Sequence, residues 1–327
     1  LEKDKSNDEA SASSLSFHFE QHGMFIKLSP LGGSFSSLCY NGEKEKIMTK
    51  IALLSDIHGN TTALEAVLED SRKAKVDEYW LLGDSLMPGT GRWALLELLE
   101  ELPITVKVLG NWEDSLWRAM RGMLDETRPS HRYLMRQCQY ILEEITPQEI
   151  EDMQKMPMQV HREIAGLKIG ITHHLPDKNW GRELIHIGEQ KDFDRLVTNP
   201  SCDIAVYGHI HQQFFRYGTG GELIINPGSI GQPFFLEKNL RKDLRAMYAI
   251  LEFDQMGLKD VDFRRVDYDV QKELQLAKDL HLPYYQVYYE SLVNGIHHTH
   301  NHELLHEIEQ REGHDREIDA WLEDFFQ

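Results

Sequence analysis

Five short segments of the 327-residue chain carry oxygen and nitrogen donors of the types that hold metal ions. Asp56-Ile57-His58-Gly59-Asn60 opens the series, followed by Gly83-Asp84, Gly110-Asn111, His173-His174 and Gly208-His209-Ile210-His211. Side chains two apart on an extended backbone project to the same side, so Asp56 and His58 can address one ion, as can His209 and His211. Asp84 is anionic and has two oxygens, which makes it the natural bridge between two cations, while Asn111 offers a neutral carbonyl that limits the negative charge. Any one of these pieces alone is an ordinary polar loop; taken jointly, the five read as one site. Mixed carboxylate, imidazole and amide donors suit two first-row ions, divalent or mixed-valence, such as Mn, Fe, Co or Zn. Two such ions roughly 3.5–4 Å apart lower the pKa of a bridging water, giving a hydroxide at neutral pH, and polarise phosphoryl oxygens. In-line attack on phosphorus is the reaction implied.

The donors follow elements that would position them. Ile51-Ala52-Leu53-Leu54 is a wholly apolar run, as expected of a strand covered on both faces and lying within Lys50 to Ser55. A helix is predicted over Thr61 to Lys75, with Leu64, Val67 and Leu68 at helical spacing and Asn60 or Thr61 as cap. A strand over Tyr79 to Leu82, a helix over Arg92 to Glu101 and a strand over Ile104 to Leu109 complete a βαβαβ unit with parallel strands. Asp56, Asp84 and Asn111 thus fall at one edge of one sheet, where ligands of parallel α/β sheets lie. Residues 115–157 read as a helical insertion. Strands resume at Leu167 to Thr172, Ile204 to Tyr207, Phe214 to Tyr217, Leu223 to Asn226, Met247 to Phe253 and Val261 to Val266, with Gly218-Thr219-Gly220-Gly221 marking a hairpin.

The domain expectation is a catalytic domain over 48–268 and an acidic helical C-terminal region over 269–327. Met48 reads as a natural start, which makes 1–47 a disordered or non-native extension. A net charge of −19, from 35 basic against 54 acidic residues, is a poor footprint for long nucleic acid. A small phosphorylated substrate fits better, since bound metal supplies the local positive charge. No apolar run reaches a membrane span, and no signal peptide is evident. Cys39, Cys138 and Cys202 are odd in number and lack metal-ligand spacing, so they read as reduced thiols, and the expected location is cytoplasmic.

The order D-x-H, GD, GN, H and G-H-x-H resembles the calcineurin-like metallophosphoesterases, over roughly Met48 to Val266. Asp56-Ile57-His58-Gly59-Asn60 and Asn226-Pro227-Gly228-Ser229 resemble in particular the small prokaryotic phosphodiesterase branch. The chain after Met48 is also similar to streptococcal asymmetric diadenosine tetraphosphate hydrolases and phosphodiesterases. The resemblance implies a four-layer α/β/β/α sandwich, here with a helical insertion and a helical C-terminal tail, and hydrolysis of phosphodiester or phosphoanhydride bonds. It also implies Asp56, His58, Asp84 and His211 around one ion, and Asp84, Asn111, His173 and His209 around the other. In that branch glycine is usual where His174 stands. A scaffold that keeps the fold, or a nuclease for short oligonucleotides, are the alternative readings; every ligand position is filled, which disfavours the scaffold.

One departure concerns the leaving group. Many relatives have histidine directly after the motif asparagine, whereas this chain has Trp112, which cannot donate a catalytic proton. His174 and Asp114 are the candidates for proton transfer, with a structural role for His174 as the alternative. Asn60, Arg92, Lys178, Arg182, Asn226 and Ser229 are candidates for substrate binding, each with an ordinary structural alternative. Trp112 and Trp117 could stack on a base, although core packing is the commoner use. The run Ile296-His297-His298-Thr299-His300-Asn301-His302 reads as a solvated helix start or an oligomer contact. Leu292, Val293, Leu304, Leu305, Ile308, Ile318, Trp321 and Phe325 give the tail an apolar face, to be buried on its own domain or in a homo-oligomer.

Overall fold

Alternation along the strands decides which layer each side chain joins. In the computed structural model, Ile51 and Leu53 enter one apolar cluster and Ala52 and Leu54 another, so this strand is buried on both faces. The structure describes residues 48–325 apart from Asn199; the extension expected over 1–47, with Cys39, lies outside the described residues. In chain order the elements are β1 (Thr49–Leu54), α1 (Thr61–Lys73), β2 (Glu78–Leu81), α2 (Trp93–Glu100), β3 (Ile104–Lys107), α3 (Asn111–Met120), α4 (Pro129–Leu142) and α5 (Pro147–Gln154). They continue with β4 (Gln159–Ile164), β5 (Leu167–Thr172), α6 (Gln190–Thr198), β6 (Ile204–Tyr207), β7 (Gln213–Tyr217), β8 (Leu223–Pro227), β9 (Ala246–Asp254) and β10 (Gly257–Val266). Four helices close the chain: α7 (Val270–Asp279), α8 (Tyr285–Asn294), α9 (His302–Glu312) and α10 (His314–Phe325).

Two five-stranded sheets form, in the orders β10-β9-β1-β2-β3 and β4-β5-β6-β8-β7. β1, β2 and β3 are parallel, as are β5, β6 and β8, while β9, β10, β4 and β7 add antiparallel edges. Ile51, Leu53, Trp80 and Leu251 of the first sheet meet Ile169, Ile171, Val206 and Ile225 of the second in one apolar layer. The outer face of the first sheet carries Leu64, Leu68, Leu95, Leu116, Ile141 and Leu274 from helices, and that of the second carries Phe193, Leu196 and Val197 of α6. This is the α/β/β/α sandwich. Leu54 pairs with Leu81 and Thr172 with Tyr207, so the parallel strands of each sheet end side by side and release their loops together.

Three parts of the sequence reading change. β4 was not expected because its exposed centre, His161-Arg162-Glu163, hides the apolar signal of an edge strand. α6 was missed although Phe193, Leu196 and Val197 follow helical spacing and are buried. The helical insertion starts at Asn111 rather than 115, which places a candidate ligand on the first turn of a helix. The tail's Leu292, Leu305, Ile308 and Ile318 are buried on this chain itself, with α9 and α10 packed on α4. Among the described residues no helix is long and apolar enough to cross a membrane.

Candidate metal centre

The loops after β1, β2, β3, β5 and β6 converge, and the approach is close enough to require glycine. A Cβ on Gly110 would lie 2.2 Å from Asp84 Oδ1, and one on Gly83 would lie 2.7 Å from the Gly110 Cα. Five of the converging residues adopt left-handed backbone despite having side chains: Asp56 (φ 51°), His58 (50°), Asp84 (58°), His209 (66°) and His211 (60°). That conformation turns the chain sharply at each strand exit and aims the side chains inward.

Each carboxylate commits one oxygen to the protein and leaves the other free. Asp56 Oδ2 accepts hydrogen bonds from Ser55 Oγ and from the His209 amide at 2.9 Å, and Asp84 Oδ1 accepts from the Trp112 amide at 2.9 Å. Asp56 Oδ1 and Asp84 Oδ2 are buried and have no hydrogen-bond partner among the described residues. Around Asp56 Oδ1 stand His211 Nε2 at 3.1 Å and His58 Nε2 at 3.8 Å. Asp84 Oδ2 lies 3.8 Å from His58 Nε2 and 3.3 Å from His173 Nε2, so a single oxygen sits between the two sets of histidines.

The imidazoles are oriented from behind. Nδ1 of His58 contacts the Met87 carbonyl at 2.5 Å, that of His173 the Leu82 carbonyl at 2.6 Å, and that of His211 the Gln232 carbonyl at 2.6 Å. A carbonyl only accepts, so each Nδ1 carries the proton and each Nε2 lone pair faces the centre. His58 and His211 bring two such nitrogens to 3.0 Å, a separation that requires a proton or a cation between them. His209 Nε2 lies 2.9 Å from the Gly181 carbonyl, which leaves Nδ1 as its free donor atom. Asn111 Oδ1 lies 3.1 Å from His173 Nε2. Asp56, His58, Asp84 and His211 therefore form one group able to hold an ion, and Asp84, His173 and His209 a second, with Asn111 beside it and Asp84 common to both.

The ionisation pattern supports the same arrangement. Burial disfavours a charged His173, but Asp84 and Asp56 hold it protonated up to about 10 in the absence of any cation. His211 is likewise raised, by Asp56 against burial. Burial and the neighbouring His211 push His58 down to about 4, and burial with His173 pushes His209 down to about 3. Burial works against both carboxylates, yet His211 for Asp56 and His173 for Asp84 keep them below the usual range. Two anionic carboxylates thus demand positive charge in the centre, and two histidines supply it as protons. First-row ions fit the donors that would be released.

Other sequence candidates fall elsewhere. Asn60 is the α1 cap, accepting from Ala63 N and donating to the Gly231 carbonyl and Tyr268 Oη, so its amide is committed. Asn226 donates to the Gly208 carbonyl and accepts from Gly228 N, and Ser229 donates to the Asp56 carbonyl and accepts from Gln232 N. These three satisfy backbone groups of the loops instead of meeting a substrate. Arg92 is buried over Tyr140 and paired with Glu143 at 2.5 Å and Glu144 at 2.6 Å, which fixes it to the inserted helices. Asp114 accepts from Gln154 of α5 at 3.2 Å, and Trp117 donates to Glu151. Lys178 lies over Trp180 and pairs with Glu183 at 2.5 Å, while Arg182 is exposed. His174 is buried beside His209, 3.2 Å from Glu183, and burial pushes it down to about 4, so its ring is neutral at pH 7.

Glu113 is the residue the sequence reading passed over. Its carboxylate accepts from the amides of Asp84 at 2.8 Å, Ser85 at 2.7 Å and Gly110 at 3.1 Å, tying the second and third loops together. Its position three residues after Gly110 is a capping-box signal that was available. His297 is the second omission. Its ring packs on His211 at 5.9 Å and on Phe234 at 5.3 Å between centroids, so this part of the histidine-rich run stands beside the metal centre.

Comparison with known proteins was made against this geometry. Residues 49–256 match the calcineurin-like phosphoesterase superfamily domain. An uncharacterized protein of Methanocaldococcus jannaschii is 26% identical over 253 residues, covering 72% of this chain and 95% of that one. The crystal structure of a metallophosphoesterase from Sphaerobacter thermophilus superposes with a TM-score of 0.58 at 22% identity, covering 76% of this chain and all (100%) of the other. That of a hypothetical protein from Pyrococcus horikoshii gives 0.61 at 20% identity, covering 76% and 99%.

Proposed function

The chain belongs to the calcineurin-like phosphoesterase superfamily, and on that premise we propose that it is a metal-dependent hydrolase of phosphodiester or phosphoanhydride bonds in small molecules. The observation that carries the reading is the shared Asp84: one buried, unbonded carboxylate oxygen stands between His58 and His173, each presenting an Nε2 lone pair. Asp56, His58, Asp84 and His211 would hold one first-row ion and Asp84, Asn111, His173 and His209 the other. Such a pair, when bound, supplies Lewis acidity to phosphoryl oxygens and lowers the pKa of water. The chain's own residues do the rest. Ser55 and the His209 and Trp112 amides hold the carboxylates in place, and three backbone carbonyls fix the imidazole tautomers.

The finer reading is a nucleotide substrate such as diadenosine tetraphosphate, cleaved asymmetrically in the cytoplasm. Trp112 supports it, because it stands where many relatives have a proton-donating histidine. A phosphate or nucleotide oxygen leaves without a proton, whereas an alkoxide does not. Buried, free Cys138 and Cys202 agree with a reducing compartment. The test loads the protein with Mn, Fe, Co or Zn in turn and follows a bis-aryl phosphodiester and diadenosine tetraphosphate, with product analysis. Turnover with unequal nucleotides as products is expected. Hydrolysis of neither compound with any metal refutes the proposal.

A further inference from the structure

The C-terminal region lies beyond the family match, which ends at residue 256, yet it returns to the metal centre. α8 stops at Gly295, whose φ of 62° turns the chain, and Asn301 starts α9 by accepting from the Leu304 amide. The intervening residues cross the mouth of the centre. They are held there by Leu305 and Ile308, buried among Tyr133, Tyr284 and Val287. A cleft of about 350 Å³ results, with His58, Asn111, His209 and His211 as its floor. Its wall is Trp112, Leu134, Phe234, His297, Thr299 and His300.

Three features of that wall define what it fits. Among the described residues lining the cleft none is Lys, Arg, Asp or Glu, so this wall suits an uncharged part of the substrate better than a polyphosphate chain. Trp112, Phe234 and two imidazoles offer ring faces and edges, with Trp112 itself set edge-on to His58 at 5.5 Å. His297 is held by a hydrogen bond to the Pro233 backbone, but its Nε2 is buried and has no partner among the described residues. A purely aliphatic group would leave that nitrogen unsatisfied, which is unfavourable for a buried polar atom. A planar group with hydrogen-bonding atoms on its edge answers all three features, and the volume suits one such group, at the low end of small-molecule sites.

We propose that the segment His297–His300, with Trp112 and Phe234, is a recognition subsite for a planar heteroaromatic substituent of the substrate, of the size and polarity of one nucleobase. The inference rests on the proposed function only in that the phosphoryl group must lie on the metal floor. Ring faces stack the substituent, and His297 Nε2 and the Thr299 hydroxyl meet its edge. Its His297–His300 part comes from outside the family domain and meets Trp112 and Phe234 from within it, so it sets which phosphoester is taken without altering the ligands.

The test measures equilibrium binding of adenosine 5′-monophosphate and ribose 5-phosphate to Mn-loaded full-length protein by calorimetry. The wild type is expected to prefer the adenine-bearing ligand by about tenfold or more, the size of one stacked base. His297→Gln and Thr299→Val should each reduce that preference several-fold, and His300→Ala, at an exposed position that cannot disturb folding, should do so in the same direction. Equal affinities in the wild type overturn the proposal, as does a preference that survives all three substitutions. A protein that shows the preference but hydrolyses no phosphoester upholds the subsite while removing the proposed activity.

Discussion

The floor and the wall of the cleft are held by opposite means. Four donors of the metal floor are each fixed locally, by a backbone amide or carbonyl of a converging loop: His58 by Met87, His173 by Leu82, His211 by Gln232, Asp84 by Trp112. The part of the wall supplied by His297–His300 is fixed remotely, by packing of α9 and α10 on α4 through Leu305, Ile308 and Tyr133. Local fixing needs particular residues at particular spacings; remote fixing needs only apolar volume. The floor is therefore expected to govern metal binding and turnover, and the wall to govern which substrate is accepted.

The sharpest way to break that division is Asp84→Asn, which weakens the oxygen common to both groups. Loss of about 10³-fold or more in kcat is expected, since metal charge stabilisation is worth several kcal/mol and about 1.4 kcal/mol is tenfold. Metal content measured with the kinetics would show both ions affected, and near wild-type turnover would end the shared role. Glu113→Gln comes next: it touches no ion, but it turns an amide group toward the three backbone N–H donors it now satisfies. A loss of about 10–100-fold in metal affinity is expected, as for other groups that orient ligands, and unchanged affinity would mean the loops hold themselves.

A pH series separates floor from wall more gently. In the metal-free protein His173 is held charged up to about 10 against its ordinary 6.5. The stability this gives is complete below 6.5 and is lost as pH rises toward 10. Tm of the metal-free protein should fall across that window, and bound Mn, which replaces the proton on His173, should flatten the slope. Equal slopes with and without Mn would contradict the assignment. The smallest effect on activity is expected from Arg92→Met: stability drops by about 1 kcal/mol as the pairs of the buried guanidinium with the exposed Glu143 and Glu144 are lost, while KM and kcat stay as they were. A raised KM would return Arg92 to the substrate.

The same division explains what could be read from sequence. The candidate donors follow apolar strands at fixed spacing, so Asp56, His58, Asp84, Asn111, His173, His209 and His211 were legible as one set, and the structure brings them to one place. The polar residues beside them were misread as substrate groups, because a loop that leaves its strand sharply has unpaired backbone to satisfy and recruits Asn60, Asn226 and Ser229 for it. Nothing local marks His297, which comes to Trp112 across 185 positions only after α9 has packed. Glu113 lay between, legible as a helix cap but not as the tie between two loops.

The left-handed backbone at Asp56, His58, Asp84, His209 and His211 has a consequence for how this chain can change. Each such residue costs on the order of 1 kcal/mol relative to glycine. Replacing His58 by glycine should therefore yield a firmer fold than replacing it by alanine, although both variants lose the same imidazole. Selection for stability alone would favour glycine at these positions. Histidine and aspartate at five such turns mark a protein whose durability is subordinate to its work.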